Sequence, residues 1–259
     1  MYWRDLEPDQ RMLSALEHAG QRPVDGNQDE KRHWSERLAN ACAVAIADEL
    51  RVSELSDKKI LPASLAGGTE PLTPLGAGTS KRIDVTVADA VLGLELELGF
   101  SLKGLNFRDG RSGNFDKNLT GRLYELGDEV RMGHEHPPHA FMAGVFFLPL
   151  DSTSDKTERA QSSFAHTVIK LRERTGRLDP ALAAHAPRCD SSWVGLYTLG
   201  DEAQGLPRGI VRFFNVGNAP PRRGRPRVET TMSLAEMVQA VVGAATFTSN
   251  VEYAEPESG

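Results

Sequence analysis

Two hydrophobic periods run along this chain, and the places where one gives way to the other mark its elements. Trp34, Leu38, Ala41, Cys42 and Ala45 recur at helical spacing and predict a long helix over 30–51, after a shorter one over 9–18. At about 100° per residue Glu49 falls on the same stripe, either as a carboxylate at the helix edge or as one aimed into a cleft. The Gly, Pro and Thr of 62–80 predict a loop. The period then drops to two. A strand is expected over 83–88, a turn over 89–93 and a second strand over 94–103. Strict alternation puts Leu94, Leu96, Leu98, Phe100 and Leu102 on one face. Glu95, Glu97, Gly99, Ser101 and Lys103 take the other.

Beyond a polar, Gly-rich stretch over 106–118, the helical period returns near Thr120. Leu119, Leu123, Leu126 and Val130 form its apolar stripe, with Arg122, Glu125 and Glu129 together on one flank. The prolines of HEHPPH stop that helix. Residues 140–150 are almost continuously apolar, as a central strand covered on both faces requires. A helix over 162–174 and strands over 193–199 and 209–216 follow. Ser233 and Glu236 have capping-box spacing and open a last helix to about Val242. Helices alternating with strands, and no internal repeat, predict an α/β fold: a central mixed β-sheet flanked by helices, in a single domain. Its N-terminal helices would occupy 1–60, its core 81–216, and an Arg-rich loop with the C-terminal helix 217–250.

Composition narrows the function. The 259 residues carry a net charge of −6, so the molecule as a whole does not attract a polyanion. Six arginines (Arg208, Arg212, Arg222, Arg223, Arg225, Arg227) nevertheless fall between Gly205 and Val228 with no acidic residue among them. A local positive patch on an acidic chain suits gripping a polyanion at one place. No run reaches the ~18 apolar residues of a membrane span, and the opening MYWRDLEPDQ lacks a signal-peptide core. Two cysteines, Cys42 and Cys189, are too few for a disulfide framework or a Cys-built zinc site. A cytoplasmic location without membrane association is the expectation.

The chemistry centres on Asp84 and Lys103. Phosphodiester hydrolysis calls for a divalent ion held by carboxylates and for a cation that offsets charge in the transition state. Carboxylate oxygens suit Mg²⁺, with Mn²⁺ as its substitute. Neighbouring antiparallel strands would bring Asp84 and Lys103 to one edge of the sheet.

KRIDVTV followed by GLELELGFSLKGLNF resembles the core of the PD-(D/E)xK nuclease superfamily, the fold of many restriction endonucleases. That signature is an Asp on one strand, then an acidic residue, a spacer and a Lys on the next. Asp84 matches the first position and Lys103 the last; the acidic position is Ser101. The likeness continues through NFRD, KN and the helical Glu-bearing segment to Asp151. It implies a restriction-endonuclease-like fold and a Mg²⁺-dependent endodeoxyribonuclease of a restriction or phage-defence type. Some restriction enzymes of the superfamily carry Ser-x-Lys and recruit the carboxylate from a downstream helix. Glu125 is then the first choice and Glu129 the next. Glu97 would have to reach about 13 Å along its strand, and a dead site is the remaining option.

On that reading Asp84 and Glu125 or Glu129 hold the metal, Lys103 positions water and stabilises charge, and Ser101 hydrogen-bonds beside them. One such site cuts one strand, so a double-strand break implies a homodimer. A defence-system partner such as a helicase or sensor is a further implication. DNA would be gripped by Arg222, Arg223, Arg225 and Arg227, with Arg108, Arg111 and Lys117 as a second contact, set against Asp109 and Asp116. Against enzymatic function stands a degenerate nuclease fold that binds DNA or a partner protein. His134, His136 and His139 form a third candidate, a zinc site or, more simply, a surface turn.

Overall fold

The computed structural model describes residues 1–65, 83–89, 95–135, 140–177, 187–200 and 205–252. Six strands make one sheet whose spatial order is their order in the chain: β1 (Lys59–Leu61), β2 (Val85–Asp89), β3 (Glu95–Gly104), β4 (Phe141–Pro149), β5 (Ser191–Tyr197) and β6 (Val211–Asn215). β1, β2 and β3 pair antiparallel, β3, β4 and β5 pair parallel, and β6 returns antiparallel to β5. Parallel neighbours need a crossover. α3 (Leu119–Glu135) carries the chain from β3 to β4, and α4 (Ser163–Arg172) from β4 to β5.

Every residue of β4 is buried, as its continuous apolar character requires. Met142, Phe146 and Leu148 pack with Leu126 and Val130 of α3 and with Phe164 and Val168 of α4. Ala143, Val145 and Phe147 belong to the core on the other face. That core is closed by α1 (Gln10–Ala19), α2 (Gln28–Arg51) and α5 (Leu234–Glu252). The result is a central mixed sheet between two helical layers.

Local chemistry sets the helix starts. The Asp9 carboxylate accepts the Met12 N–H at 3.0 Å, and Asn27 with Glu30 forms a reciprocal capping box. Ser162 caps α4, and Ser233 and Glu236 cap α5 as their spacing predicts. α5 runs ten residues beyond the expected end at Val242, to Glu252. Ala244 and Ala245 pack against the core and continue its buried stripe. β1 is too short to be read from periodicity; only Ile60 of its three residues is buried.

Strict alternation along β3 fails at one point. Val87 lies opposite Leu98 but Ala88 opposite Leu96, so a bulge at Glu97 resets the period. Leu98, Phe100 and Leu102 face α2, whereas Leu96 joins the core beneath α3. Glu97 therefore leaves the face it would share with Ser101 and pairs with Lys58 at 2.9 Å. Leu94 and the expected 89–93 turn fall largely outside the described residues.

Gly209, just before β6, has φ +90° and accepts the Asp9 N–H at 3.1 Å, and a Cβ on it would lie 2.8 Å from Cβ of Leu13. Both the dihedral and the close approach of α1 exclude a side chain. Gly209→Ala is expected to cost about 2–3 kcal/mol, read as a lower urea midpoint with unchanged m-value.

Candidate active site

The antiparallel ladder of β2 and β3 ends at Val85 and Phe100, and its continuation sets Asp84 alongside Ser101. The carboxylate of Asp84 takes over as acceptor there. Its Oδ2 receives the Leu102 N–H at 2.6 Å. Leu102 faces the α2 core, so Ser101 and Lys103, on either side of it, project toward α3. Across the parallel register Ser101 lies beside Gly144, and Gly144 beside Ser192. A Cβ on Gly144 would meet Cys189 Sγ at 3.0 Å and Leu126 at 3.3 Å, so the missing side chain lets α3 settle close to the sheet.

α3 supplies the carboxylate. Leu119, Leu123, Leu126 and Val130 all face inward. Counted from the centre of that stripe at 100° per residue, Glu129 is about 90° away and Glu125 about 130°. The difference decides which side chain reaches the strand. Glu129 Oε2 accepts from Ser101 Oγ at 2.5 Å and from Lys103 Nζ at 2.7 Å. Glu125 turns outward to Arg122, 2.7 Å away, in a pair roughly half exposed. The order of preference between the two carboxylates is thus reversed: Glu129 is the partner of Ser-x-Lys. The signal was legible in the stripe angle.

Lys103 and Glu129 are 8% and 12% exposed, so their pair is largely dry. Each neutralises the other where either alone would carry a desolvation penalty of several kcal/mol. Cys189 lies close enough to feel both charges. Its burial pushes the thiol up to about 12, and Cys42 and Cys189 are both free thiols.

Lys103 also lines a cleft of about 1060 Å³ that crosses the carboxyl end of β3, from α2 on one face to the start of α3 on the other. This is where ligands enter open α/β sheets. Lys31, Arg32, Arg108, Lys117 and Arg122 line it along with Lys103, against the acidic Asp25, Glu36, Asp109 and Glu125. Lys31 sits over the Phe107 ring and Arg108 over the Phe115 ring, both within 6 Å of the centroid. Asn106 holds the cleft floor, donating to Ser35 Oγ at 3.1 Å and accepting from Tyr197 Oη at 3.0 Å. Of these, sequence reasoning singled out only Lys103, Arg108, Lys117, Arg122 and Glu125. The basic residues of α2 were missed because on a helix flank they look like ordinary solvated charges.

The remaining candidates take other places. Lys117 is held by Asp109, and its hydrogen bond is the leading cause that draws the Asp109 carboxyl down to about 2. Arg111 is exposed on the turn that Asp109 closes. The loop bearing Arg222, Arg223, Arg225 and Arg227 does not contribute to the cleft lining. It packs on the segment before α4, with Ser162 N–H donating to Arg222 O and Gly224 N–H to Thr153 O. The Arg222 guanidinium reaches Arg159 O and that of Arg223 reaches Ser154 O. Arg208 and Arg212 are structural. The first binds Leu16 O and Gly20 O at the end of α1, and the second binds Thr231. Glu49 pairs with Arg11, the helix-edge alternative.

The Nε2 of His134 lies 2.9 Å from Asp190 Oδ2. His136 and His139 fall outside the described residues. Among the described residues no group of three or more His, Cys, Asp or Glu side chains is assembled as a ligand set. None of the described helices is long and apolar enough to cross a membrane. No family model, curated protein or solved structure matches the chain.

Asp190 ties the ends of α3, β4 and β5 together, since Met142 N–H at 2.7 Å and Arg177 Nε at 2.8 Å also donate to it. Burial opposes its ionisation, but His134, Met142 and Arg177 outweigh burial and hold its carboxyl below the usual 3.8. Because the folded value is depressed, this stabilisation is present above the ordinary aspartate range and is lost as pH falls through the folded value. Asp190→Asn is expected to lower stability by about 3 kcal/mol at neutral pH. It should also flatten the acid limb of stability below about pH 4. Urea unfolding across that range tests both; an unaltered acid limb would remove Asp190 from the account.

Proposed function

We propose that this chain is a metal-dependent DNA endonuclease, with Asp84 and Glu129 as the metal-binding carboxylates and Lys103 as the catalytic cation. The observation that carries this reading is the meeting of Ser101, Lys103 and Glu129 beside Asp84, at the strand end that opens on a basic-lined cleft. The donors fit Mg²⁺. They are oxygens, and a Mg²⁺ site uses one or two carboxylates and leaves its other positions to water and phosphate. When bound, Mg²⁺ would polarise the scissile phosphate and acidify a water.

The chain's own residues do the rest. Lys103 lines the cleft while its ammonium is held by Glu129 in a largely dry site, where a positive charge brought to a phosphorane-like transition state stabilises it far better than in water. Ser101 fixes the Glu129 carboxylate through one oxygen. Arg108 and the lysine and arginine of α2 provide phosphate contacts along the cleft, and the Arg222–Arg227 loop a separate one. A restriction or anti-phage role, a cytoplasmic setting, a homodimer for double-strand breaks and a helicase- or sensor-type partner belong to the same proposal. They rest on the resemblance of Lys81–Asp151 to restriction-type nucleases.

One observation favours a second reading, a degenerate module that binds DNA or a partner protein. Glu129 is already satisfied by Ser101 and Lys103, and Asp84 by Leu102. The two readings part in a plasmid and phage-DNA cleavage assay with Mg²⁺, Mn²⁺ or EDTA. Metal-dependent cutting by the wild type is expected. Asp84→Ala, Lys103→Ala and Glu129→Gln should each lose about a hundredfold or more, whereas Glu125→Gln, in an exposed pair, should stay within about threefold. Equal losses at positions 125 and 129 would refute the assignment of Glu129. No cutting by the wild type would favour the binding module.

Binding separates the two basic surfaces. Neutralising Lys31, Arg32 and Arg108 should lower the salt slope of DNA affinity by about 0.9 per phosphate contact removed. The same change at Arg222, Arg223 and Arg225 tests the loop. A slope that moves with neither triple would place DNA elsewhere.

A further inference from the structure

Glu129 is asked to serve two masters. Both of its recorded hydrogen bonds fall on Oε2, one from Ser101 Oγ and one from Lys103 Nζ, and the pair with Lys103 is almost wholly buried. A divalent ion on either oxygen of that carboxylate would sit within a few ångströms of the ammonium, and in so dry a site the two positive charges repel and each must shed water to reach it. Lys103, however, has somewhere else to go. It lines the cleft, and its stem has four rotatable carbons.

We infer that the Lys103–Glu129 pair is a latch on the metal position: Lys103 occupies Glu129 at rest and must leave it for the cleft before the carboxylate can receive a divalent ion. This rests on the nuclease reading and supplies its regulation. A phosphate in the cleft would offer Lys103 a replacement counter-ion, so polyanion and metal would each favour the other's binding, and reciprocally so. The apo protein would then hold metal weakly. Ser101, which binds the same oxygen, orients Glu129 in both states and adds no charge to the competition.

The test reads metal binding without turnover. Binding of Mn²⁺ alone to the full chain would be counted by the EPR signal of the free ion, for wild type, Lys103→Met and Glu129→Gln. Lys103→Met should bind at least about tenfold tighter than wild type, because the competitor is gone. Glu129→Gln should lose the site. Removing a nearby positive charge also strengthens metal binding without any displacement, so a second readout on the wild type decides the mechanism. Acylation of lysines, located by peptide mass spectrometry, should be slow at Lys103 in the metal-free protein and should accelerate on saturation with Mn²⁺. Lys117, exposed and on the cleft rim, is the internal reference. This arm also stands if Lys103→Met fails to fold.

Glu129-dependent Mn²⁺ binding with unchanged Lys103 labelling would overturn the latch and leave the metal site standing. Binding to Lys103→Met no tighter than to wild type would do the same. If no protein in the series binds Mn²⁺, the latch and the metal-dependent nuclease reading fall together.

Discussion

Parallel pairing of β3 with β4 constrains everything around the site. Parallel strands cannot be joined by a tight turn, so the chain must leave β3 at its carboxyl end, cross the sheet and re-enter at the amino end of β4. α3 is that crossing. Because β4 is buried on both faces, its two apolar rows must each find a helical layer, and α3 takes the row of Met142, Phe146 and Leu148. Gly144 leaves the space that allows Leu126 to approach. Once the helix lies there, a residue at the edge of its apolar stripe meets the polar side chains of β3, and that residue is Glu129.

The same crossing opens the cleft. The segment between β3 and α3 has to travel over the end of the sheet, and Asn106 anchors it to α2 through Ser35 and to β5 through Tyr197. Polar groups so placed are costly to bury without partners. Here the partners come from two elements far apart in the chain. The cleft is consequently built from both helical layers, with Lys31 and Arg32 on one side and Arg122 on the other, and Lys103 between them.

Charge placement separates structural work from work open to a ligand. Asp190 collects His134, Arg177 and a backbone N–H and ties strand ends together. Asp116 does likewise with Lys156 and His166, whose bonds outweigh burial and lower its pKa. Arg208 and Arg212 close the end of α1 and the turn before α5. These charges look functional in a linear reading. The Lys103–Glu129 pair differs in that Lys103 lines a cleft and Ser101, bound to the same carboxylate, lies across the register from a further one, Asp84.

Periodicity alone determined the α/β class, the helix over 30–51 and the one starting near Thr120, the β2–β3 pairing and the burial of β4, because burial on one or two faces writes its period directly into the chain. The Asp84, Ser101 and Lys103 positions were legible too, since they lie on adjacent strands whose register follows from a short connection. The bulge at Glu97 was not legible: an inserted residue leaves composition unchanged and is defined only by the partner strand. Choosing Glu129 over Glu125 needed the packing of α3, although the stripe angle already leaned that way. The cleft and the structural partners of Arg208 and His134 were decided by tertiary structure alone. Such contacts join residues dozens to hundreds of positions apart, and no local pattern of polar and apolar residues encodes which distant backbone or carboxylate a charged side chain will meet.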